Sequence, residues 1–287
     1  MNATTGPDLS RYRLAVALPC YNEAPALPEV LAQWHETLPD ADIYVFDNNS
    51  TDDSAEIARK FGARVVTVGR QGKGYVVRAI FAELADRDVV IMTDADGTYP
   101  ASAVFDLLQP IFDDTADMTV GARVPVAELG AMTPVRSLGN VLIRFAFWLL
   151  MGLSGGDLLS GYRLFGQKFL RGVRLKSHGF EIETEIACKA VGGGWRVVEK
   201  PVSYLPRAAG TASKLRALRD GVRIIKMMAI LSFQLKPWRL GGLAVGLITL
   251  CAVLTKSGLL WVGAGTALGA LIVQIRRLQA TSIKPGH

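Results

Sequence analysis

The chain has 287 residues, 50% of them hydrophobic and 20% charged, and a formal net charge of +6. That length holds one large domain or two ordinary ones with a real apolar core, which excludes a small scaffold dependent on cross-links. Cys20, Cys188 and Cys251 form no CxxC pair or Cys/His cluster, so a zinc site and a disulfide framework are excluded as well, and a reducing compartment fits. Residues 1–10 are polar and do not read as a secretory leader, and the bulk of the protein is expected in the cytoplasm.

Short apolar runs at 14–18, 43–46, 65–68 and 89–92 have the length of strands covered on both faces. Helical patterns separate them: 25–38, with Leu27, Val30, Leu31 and Trp34 at helical spacing, then 52–61 and 74–85. This βαβαβ alternation predicts a parallel sheet that binds ligands at the carboxyl ends of its strands. Polar loops follow all four strands: Tyr21-Asn22-Glu23, Asp47-Asn48-Asn49-Ser50, Gln71-Gly72-Lys73-Gly74 and Asp94-Ala95-Asp96. Asp94 and Asp96 stand two residues apart, so in extended chain both carboxylates leave on one side and suit a hard divalent cation, Mg²⁺ or Mn²⁺, that also binds phosphate. A solvated turn is the alternative for that loop, a flexible helix-opening turn for Gly72 to Gly74, and an Asx turn for Asp47 and Asn49. No GxGxxG or Walker A pattern is present, so an ordinary dinucleotide fold and a P-loop are excluded.

Further along, 141–153 is an apolar run broken only by Arg144, too short to span a bilayer, and suits either a dip into the bilayer face or a buried helix. Glu181, Glu183 and Glu185 alternate with apolar residues or threonine, as in a half-buried strand or a helix start. Leu215, Leu218, Val222, Ile225 and Ala229 recur at helical spacing among Arg216, Arg219, Arg223 and Lys226, a basic amphipathic helix of the kind that rests on anionic headgroups. Residues 240–255 and 258–275 are uncharged, with Lys and Arg on both outer flanks, which predicts a transmembrane hairpin with its flanks in the cytoplasm, the alternative being a buried helical pair. The expected organisation is a domain over 1–206, basic juxtamembrane helices over 207–239, a hairpin over 240–275 and a cytoplasmic tail over 276–287. Basic charge is thereby directed at a membrane, and nucleic-acid binding is not expected, since no aromatic-interleaved basic stripe accompanies it.

In this order the segments LPCYNEAPAL, DNNSTDDS, GKGYVVRAI and DADGTYP resemble family 2 glycosyltransferases of the GT-A fold. Ser160-Gly161-Tyr162-Arg163, the GFEIETE run of 179–185 and RAAGTASK at 207–214 resemble the polyprenyl-phosphate branch typified by dolichol-phosphate mannose synthase. The resemblance covers about residues 12–236 and implies a nucleotide-sugar donor, UDP-linked in preference to GDP-linked, and a polyprenyl phosphate acceptor. It implies that Pro19, Tyr21, Asn22, Glu23, Asp47, Asn49 and Ala95 belong to the nucleotide site, that Lys73 and Asp94 contact ribose or diphosphate, and that Asp96 holds the metal with Asp94. Arg123, read as following a fifth strand, and Arg136 match positions that hold the lipid phosphate, and Arg163, Ser160, Arg207, Ser213 and Lys214 are expected to close over phosphates from the other side. Asp157 is an expected further carboxylate of the active site, orienting acceptor or sugar, or else a helix cap. One departure is plain: processive hexose polymerases of the wider family carry QxxRW, whereas residues 234–238 read QLKPW, with Pro237 in place of the arginine.

A phosphate acceptor is mostly dianionic at pH 7, so it attacks without a strong general base and the anomeric centre inverts. The expected activity is therefore inverting transfer of one sugar to polyprenyl phosphate at the cytoplasmic face of the inner membrane, by a multi-pass protein that associates with itself if its hairpins pair. Two other readings stay open: transfer to a sugar or lipid hydroxyl, which needs a catalytic base, and a non-catalytic membrane scaffold that binds nucleotide sugars.

Overall fold

The computed structural model describes residues 9–125, 134–152, 156–207 and 217–254. At its centre is β1 (Leu14–Cys20), with Leu14, Val16 and Leu18 in one apolar core and Ala15 and Ala17 in a second. The same alternation runs along β2 (Asp42–Asp47) and β4 (Val89–Met92): Ile43, Val45, Val89 and Ile91 enter the first core, and Tyr44, Phe46, Val90 and Met92 the second. Such strands have no solvent face, which is why they read as unbroken apolar runs.

Helices α1 (Leu27–Thr37), α2 (Ser54–Lys60) and α4 (Val104–Phe112) cover the first core. The second lies under α3 (Lys73–Glu83), α6 (Gln167–Gly172) and α7 (Ile182–Gly192), the last of which resolves the glutamate run as a helix start. With β3 (Arg64–Thr67), β5 (Met118–Pro125), β6 (Arg163–Gly166) and β7 (Val197–Tyr204), the seven strands take the order β3-β2-β1-β4-β6-β5-β7.

The sheet is mixed where a parallel one was expected, because β6 runs antiparallel to both β4 and β5. Among the described residues no helix carries the chain back over the sheet between β5 and β6. Instead α5 (Pro134–Met151) leaves to pack on α8 (Ala217–Leu235), and β6 begins with Arg163 beside Met92, at the carboxyl end of β4. The turn that precedes β6 thus lands beside Asp94. Arg123 lies within β5 and pairs in register with Val202 of β7, rather than following the strand.

A third core joins Ile143, Phe147 and Met151 of α5 to Ala187 and Cys188 of α7 and to Ile224, Met228 and Leu231 of α8. Ser232 Oγ also donates to the carbonyl of Leu150 at 2.8 Å. The stripe read from sequence on α8 is therefore not its packed face: Val222 is 67% exposed and Ile225 is exposed too, while Ile224 and Met228 are buried. Both helices carry a second apolar face open to the outside, with Val141, Leu142, Phe145 and Trp148 on α5 and Val222, Ile225, Ile230 and Phe233 on α8. After α8 comes α9 (Pro237–Leu254). Among the described residues no helix is long and apolar enough to cross a membrane; the second expected span, 258–275, and the tail 276–287 lie outside the described residues.

Truncating Phe147 empties the middle of the third core, so Phe147→Ala should cost about 3–5 kcal/mol in denaturant unfolding. Val222→Ser, on the outer face of α8, should change stability by less than about 0.5 kcal/mol.

Candidate active site

Four loops leave the carboxyl ends of β1 to β4 and are laced together by side chains. Asn22, at a φ of 52°, accepts from the Thr51 amide at 2.7 Å and donates its amide nitrogen to Thr51 Oγ1, while the Asn22 backbone N–H donates to Ser50 Oγ. Asparagine tolerates this left-handed conformation better than most residues. Asn48 clamps the next loop: its side chain donates to the carbonyls of Val68 and Arg70 and accepts from the Gly72 amide at 2.7 Å. The Gly-Lys-Gly segment in turn lies flat against 177–178, with Gly74 N–H donating to the His178 carbonyl. A Cβ at Gly72 would stand 2.3 Å from the His178 carbonyl oxygen, and one at Gly74 would stand 2.4 Å from that of Ser177. Both glycines are there for close backbone approach. Glu185 fixes the opposing segment by accepting from the amides of Lys176 and Ser177.

This lacing sets Lys73 between two carboxylates. Its Nζ lies 2.6 Å from Asp94 Oδ1 and 2.6 Å from Glu183 Oε1. Burial opposes the ammonium charge, but the two acids outweigh it and hold the Lys73 pKa above the ordinary value. Burial likewise opposes the Asp94 charge, and the nearby Lys73 brings its pKa below the usual range. Asp96 goes the other way, because burial and then the negative charge of Asp94 exceed the help it gets from Arg207 and Thr98. Asp96 Oδ1 accepts from the amide and the hydroxyl of Thr98, and Oδ2 lies 2.7 Å from Arg207 Nη2. A bond from the Leu205 amide to the Thr98 carbonyl brings the chain after β7 over this loop.

The fifth strand supplies a further charge pair. Arg123 Nε and Nη2 donate to the two oxygens of Asp157 at 2.6 and 2.7 Å, the Arg123 amide donates there as well, and the guanidinium covers the ring of Tyr204. Asp157 is therefore the counter-ion that orients Arg123, and its pKa falls below the ordinary value because that arginine outweighs the burial. Tyr99 stacks edge-on against Tyr162 and Tyr204, and its hydroxyl accepts from the Gly161 amide. Gly161 is pressed onto Asp94: a Cβ there would stand 2.3 Å from Oδ2.

One cleft of about 880 Å³ collects these groups. Pro19, Cys20, Tyr21, Glu23, Asn48, Lys73, Asp94, Ala95, Asp96, Arg123, Glu183 and Arg207 line its polar end. It continues past Ile143 of α5 along α8, where apolar Ile224, Met227, Ile230 and Leu231 line it together with charged Arg219, Asp220, Arg223 and Lys226. Burial pushes the Cys20 pKa up to about 12, so it faces the cleft as a neutral thiol rather than a nucleophile.

Several expected site residues do other work. Asn22, Asp47 and Asn49 shape the loops and do not line the cleft: Asp47 Oδ1 accepts from the Ser50 amide, and Asn49 donates to the Gly69 carbonyl. Ser160, expected at the acceptor phosphate, is fully buried and donates to the Gly121 carbonyl. Arg163, expected to close over phosphate, is 1% exposed and donates to the carbonyls of Ser160 and Leu158. As the first residue of β6 it props up the turn from beneath, out of reach of a ligand. The Arg136 side chain, Ser213 and Lys214 lie outside the described residues. Sequence reasoning did not single out Asn48, Tyr99 or Gly161, although Asn48 sits among the loop residues it did choose and the other two lie inside motifs it quoted.

Asp94 and Asp96 present the oxygen donors a hard cation takes, and among the described residues no group of three or more His, Cys, Asp or Glu could hold a metal alone. That partial donor set fits Mg²⁺ or Mn²⁺ completed by phosphate oxygens and water, and does not fit zinc.

Gly74→Ala forces backbone against backbone and should abolish nucleotide binding in a calorimetric titration even if the fold survives. Asp157→Asn leaves Arg123 buried beside a neutral partner and should cost about 3–5 kcal/mol at pH 7. Because the Asp157 pKa is depressed, that contribution is whole above about pH 4 and is lost as pH falls through the lower folded value. Denaturation of both proteins at pH 7 and pH 3 should show the gap narrowing.

Residues 15–171 match the model of glycosyl transferase family 2. The glycosyltransferase AglJ of Haloferax volcanii is 35% identical over 208 residues, 72% of this chain and 68% of the relative. A dolichyl-phosphate hexose transferase of the same organism is 32% identical over 214 residues, 74% of this chain and 91% of that protein. In fold the chain is similar to glucosyl-3-phosphoglycerate synthase from Mycobacterium tuberculosis, solved with Mn²⁺, uridine diphosphate and glucosyl-3-phosphoglycerate. That likeness has a TM-score of 0.58 at 18% identity and covers 78% of this chain and 81% of the other. The family match and the identity to AglJ over most of the chain establish that this protein belongs to glycosyl transferase family 2.

Proposed function

We propose that the protein transfers a single sugar from a nucleotide-sugar donor, UDP-linked in preference to GDP-linked, to the phosphate of a polyprenyl phosphate, with inversion, at the cytoplasmic face of a membrane. The observation that carries this reading is the shape of the cleft. One continuous space runs from the buried charges of the strand-end loops to α8, where apolar Ile224, Met227, Ile230 and Leu231 and basic Arg219, Arg223 and Lys226 line it together, a combination suited to an amphiphile with an anionic head and a hydrocarbon tail. The dolichyl-phosphate hexose transferase among its relatives supports a lipid phosphate as acceptor, and the Mn²⁺ in the structural neighbour supports metal dependence.

In this reading Asp94 and Asp96 hold Mg²⁺ or Mn²⁺, which when bound supplies Lewis-acid charge to the diphosphate leaving group. Lys73, fixed by Asp94 and Glu183, adds a preorganised positive charge at the same end of the cleft. Tyr21 offers a ring at the nucleoside end, where Asn48, its amide spent on the third loop, fixes the wall. Arg123, held rigid by Asp157 and Tyr204, offers a guanidinium edge to the acceptor phosphate, for which its planar fork is suited. The acceptor phosphate is itself the nucleophile, so no side chain has to act as a strong base. The outward apolar faces of α5 and α8 would rest in the headgroup region, and residues 240–275 would anchor the domain as a hairpin.

The test is transfer of radiolabelled sugar from a panel of UDP- and GDP-sugars into organic-extractable undecaprenyl phosphate, with Mn²⁺ or Mg²⁺ and with chelator. One donor should give an acid-labile lipid product that chelator abolishes, and Asp96→Asn should lower its rate by at least about 100-fold. A folded, nucleotide-binding protein that yields no lipid product from any donor would overturn the proposal in favour of a hydroxyl acceptor.

A further inference from the structure

We propose that Arg207 is an internal competitor of the divalent cation: its guanidinium occupies the coordinating oxygen of Asp96 until metal and donor arrive, and the exchange releases it for phosphate. The inference rests on the metal reading given above. It starts from an accounting of lone pairs. Asp96 Oδ1 already accepts from the Thr98 amide and hydroxyl, so Oδ2 is the oxygen left for a cation, and Arg207 Nη2 stands on it at 2.7 Å. A metal ion bound through Oδ2 would have to share that one oxygen with the guanidinium, and the two positive charges would stand within a few ångströms of each other and repel.

The two arginines of the cleft differ in how firmly they are held. Arg123 has both oxygens of Asp157, a backbone tie to the same carboxylate and the face of Tyr204, and its side chain is 13% exposed. Among the described residues Arg207 has one short contact: its Nη1 is 3.8 Å from Glu23 Oε1, beyond hydrogen-bond length, its Nε is buried with no hydrogen-bond partner, and its side chain is 28% exposed. A guanidinium with five donors and one good acceptor is poised to leave for a better one. A phosphate provides it, since its oxygens can meet the planar fork in a bidentate manner. Lys73 does not behave this way, because Glu183 is a second anchor at 2.6 Å beside Asp94.

The exchange has a consequence for order. While Asp96 is free of metal, Arg207 is bound to it and does not serve an incoming phosphate; once metal and nucleotide are loaded, Arg207 is free and completes the phosphate site. Donor therefore binds productively before acceptor, and a lipid phosphate that arrives first meets only Arg123.

The experiment is a titration of Mn²⁺ into the full-length protein followed by electron paramagnetic resonance of the free ion, with and without UDP, for wild type, Arg207→Ala and Arg207→Lys, after thermal melting has shown each variant folded. Removing one positive charge from beside the Asp96 carboxylate should tighten Mn²⁺ binding by about tenfold in Arg207→Ala. Arg207→Lys, a point charge without the fork, should fall between the two. Binding unchanged or weakened in Arg207→Ala overturns the exchange while leaving the metal site standing. No Mn²⁺ bound by any of the three proteins, with UDP present, overturns the metal assignment and the exchange with it.

Discussion

Charge buried at the carboxyl edge of the sheet is the constraint on which the site depends. Asp94, Asp96, Asp157 and Glu183 all lie in surroundings where an unpaired carboxylate is expensive, and each has a cation within 2.7 Å. The pairs join segments far apart in the chain: α3 and α7 both grip the loop after β4 through Lys73, β5 reaches the turn before β6 through Arg123, and the end of β7 reaches back to β4 through Arg207. Electrostatics thus assembles the cleft from both halves of the fold. The same pairing rigidifies it, because a lysine held by two acids or an arginine held by both oxygens of one acid has a single orientation.

Close backbone approach is the second condition, and it explains why motifs of apparently bland residues are needed. Gly72 and Gly74 let the third loop lie against 177–178, and Gly161 lets the turn before β6 touch the Asp94 carboxylate. Tyr99 belongs to the same arrangement, since its hydroxyl holds Gly161 in place while its ring rests on Tyr162 and Tyr204. A metal-loop tyrosine thereby positions the glycine that positions the aspartate. No single element carries the geometry.

The sequence made legible whatever follows from periodicity and from residue type at a strand end. The four leading strands, the three crossover helices and the pairing of Lys73, Asp94 and Asp96 in one place all come from apolar runs that end in polar loops. Orientation was not legible. Ser160 and Arg163 are polar residues of a functional motif, yet they serve the backbone of the turn, because an antiparallel β6 places them inside the protein and leaves only Gly161 at the edge. Nothing local announces that reversal: β6 is four residues long and its partners lie more than 40 positions away. Asn48 stands between Asp47 and Asn49, neighbours of equal promise, and only the fold decides that Asn48 grips the third loop at three points while Asn49 reaches it at one and Asp47 stays within its own loop. On α8 two apolar faces share one helix, and a pattern of spacings cannot say which of them meets protein.

The position of α8 links the polar end of the cleft to the surface on which its substrate would travel. Its inner face completes a core with α5 and α7, while Arg219, Arg223 and Lys226 line the cleft with Asp220 as the nearby acid. A wall that is basic towards the opening and apolar along its length raises the local concentration of anionic amphiphiles while offering their tails a place to lie. Both proposed substrates are anionic at the reacting end, so the basic wall attracts either of them and cannot by itself set which enters first. Discrimination has to come from the interior, where one arginine is fixed and the other is held by a single carboxylate oxygen. The excess of positive charge at the mouth and the closed charge pairs within are in this sense complementary: the first gathers phosphates, and the second decides when a phosphate finds a complete site.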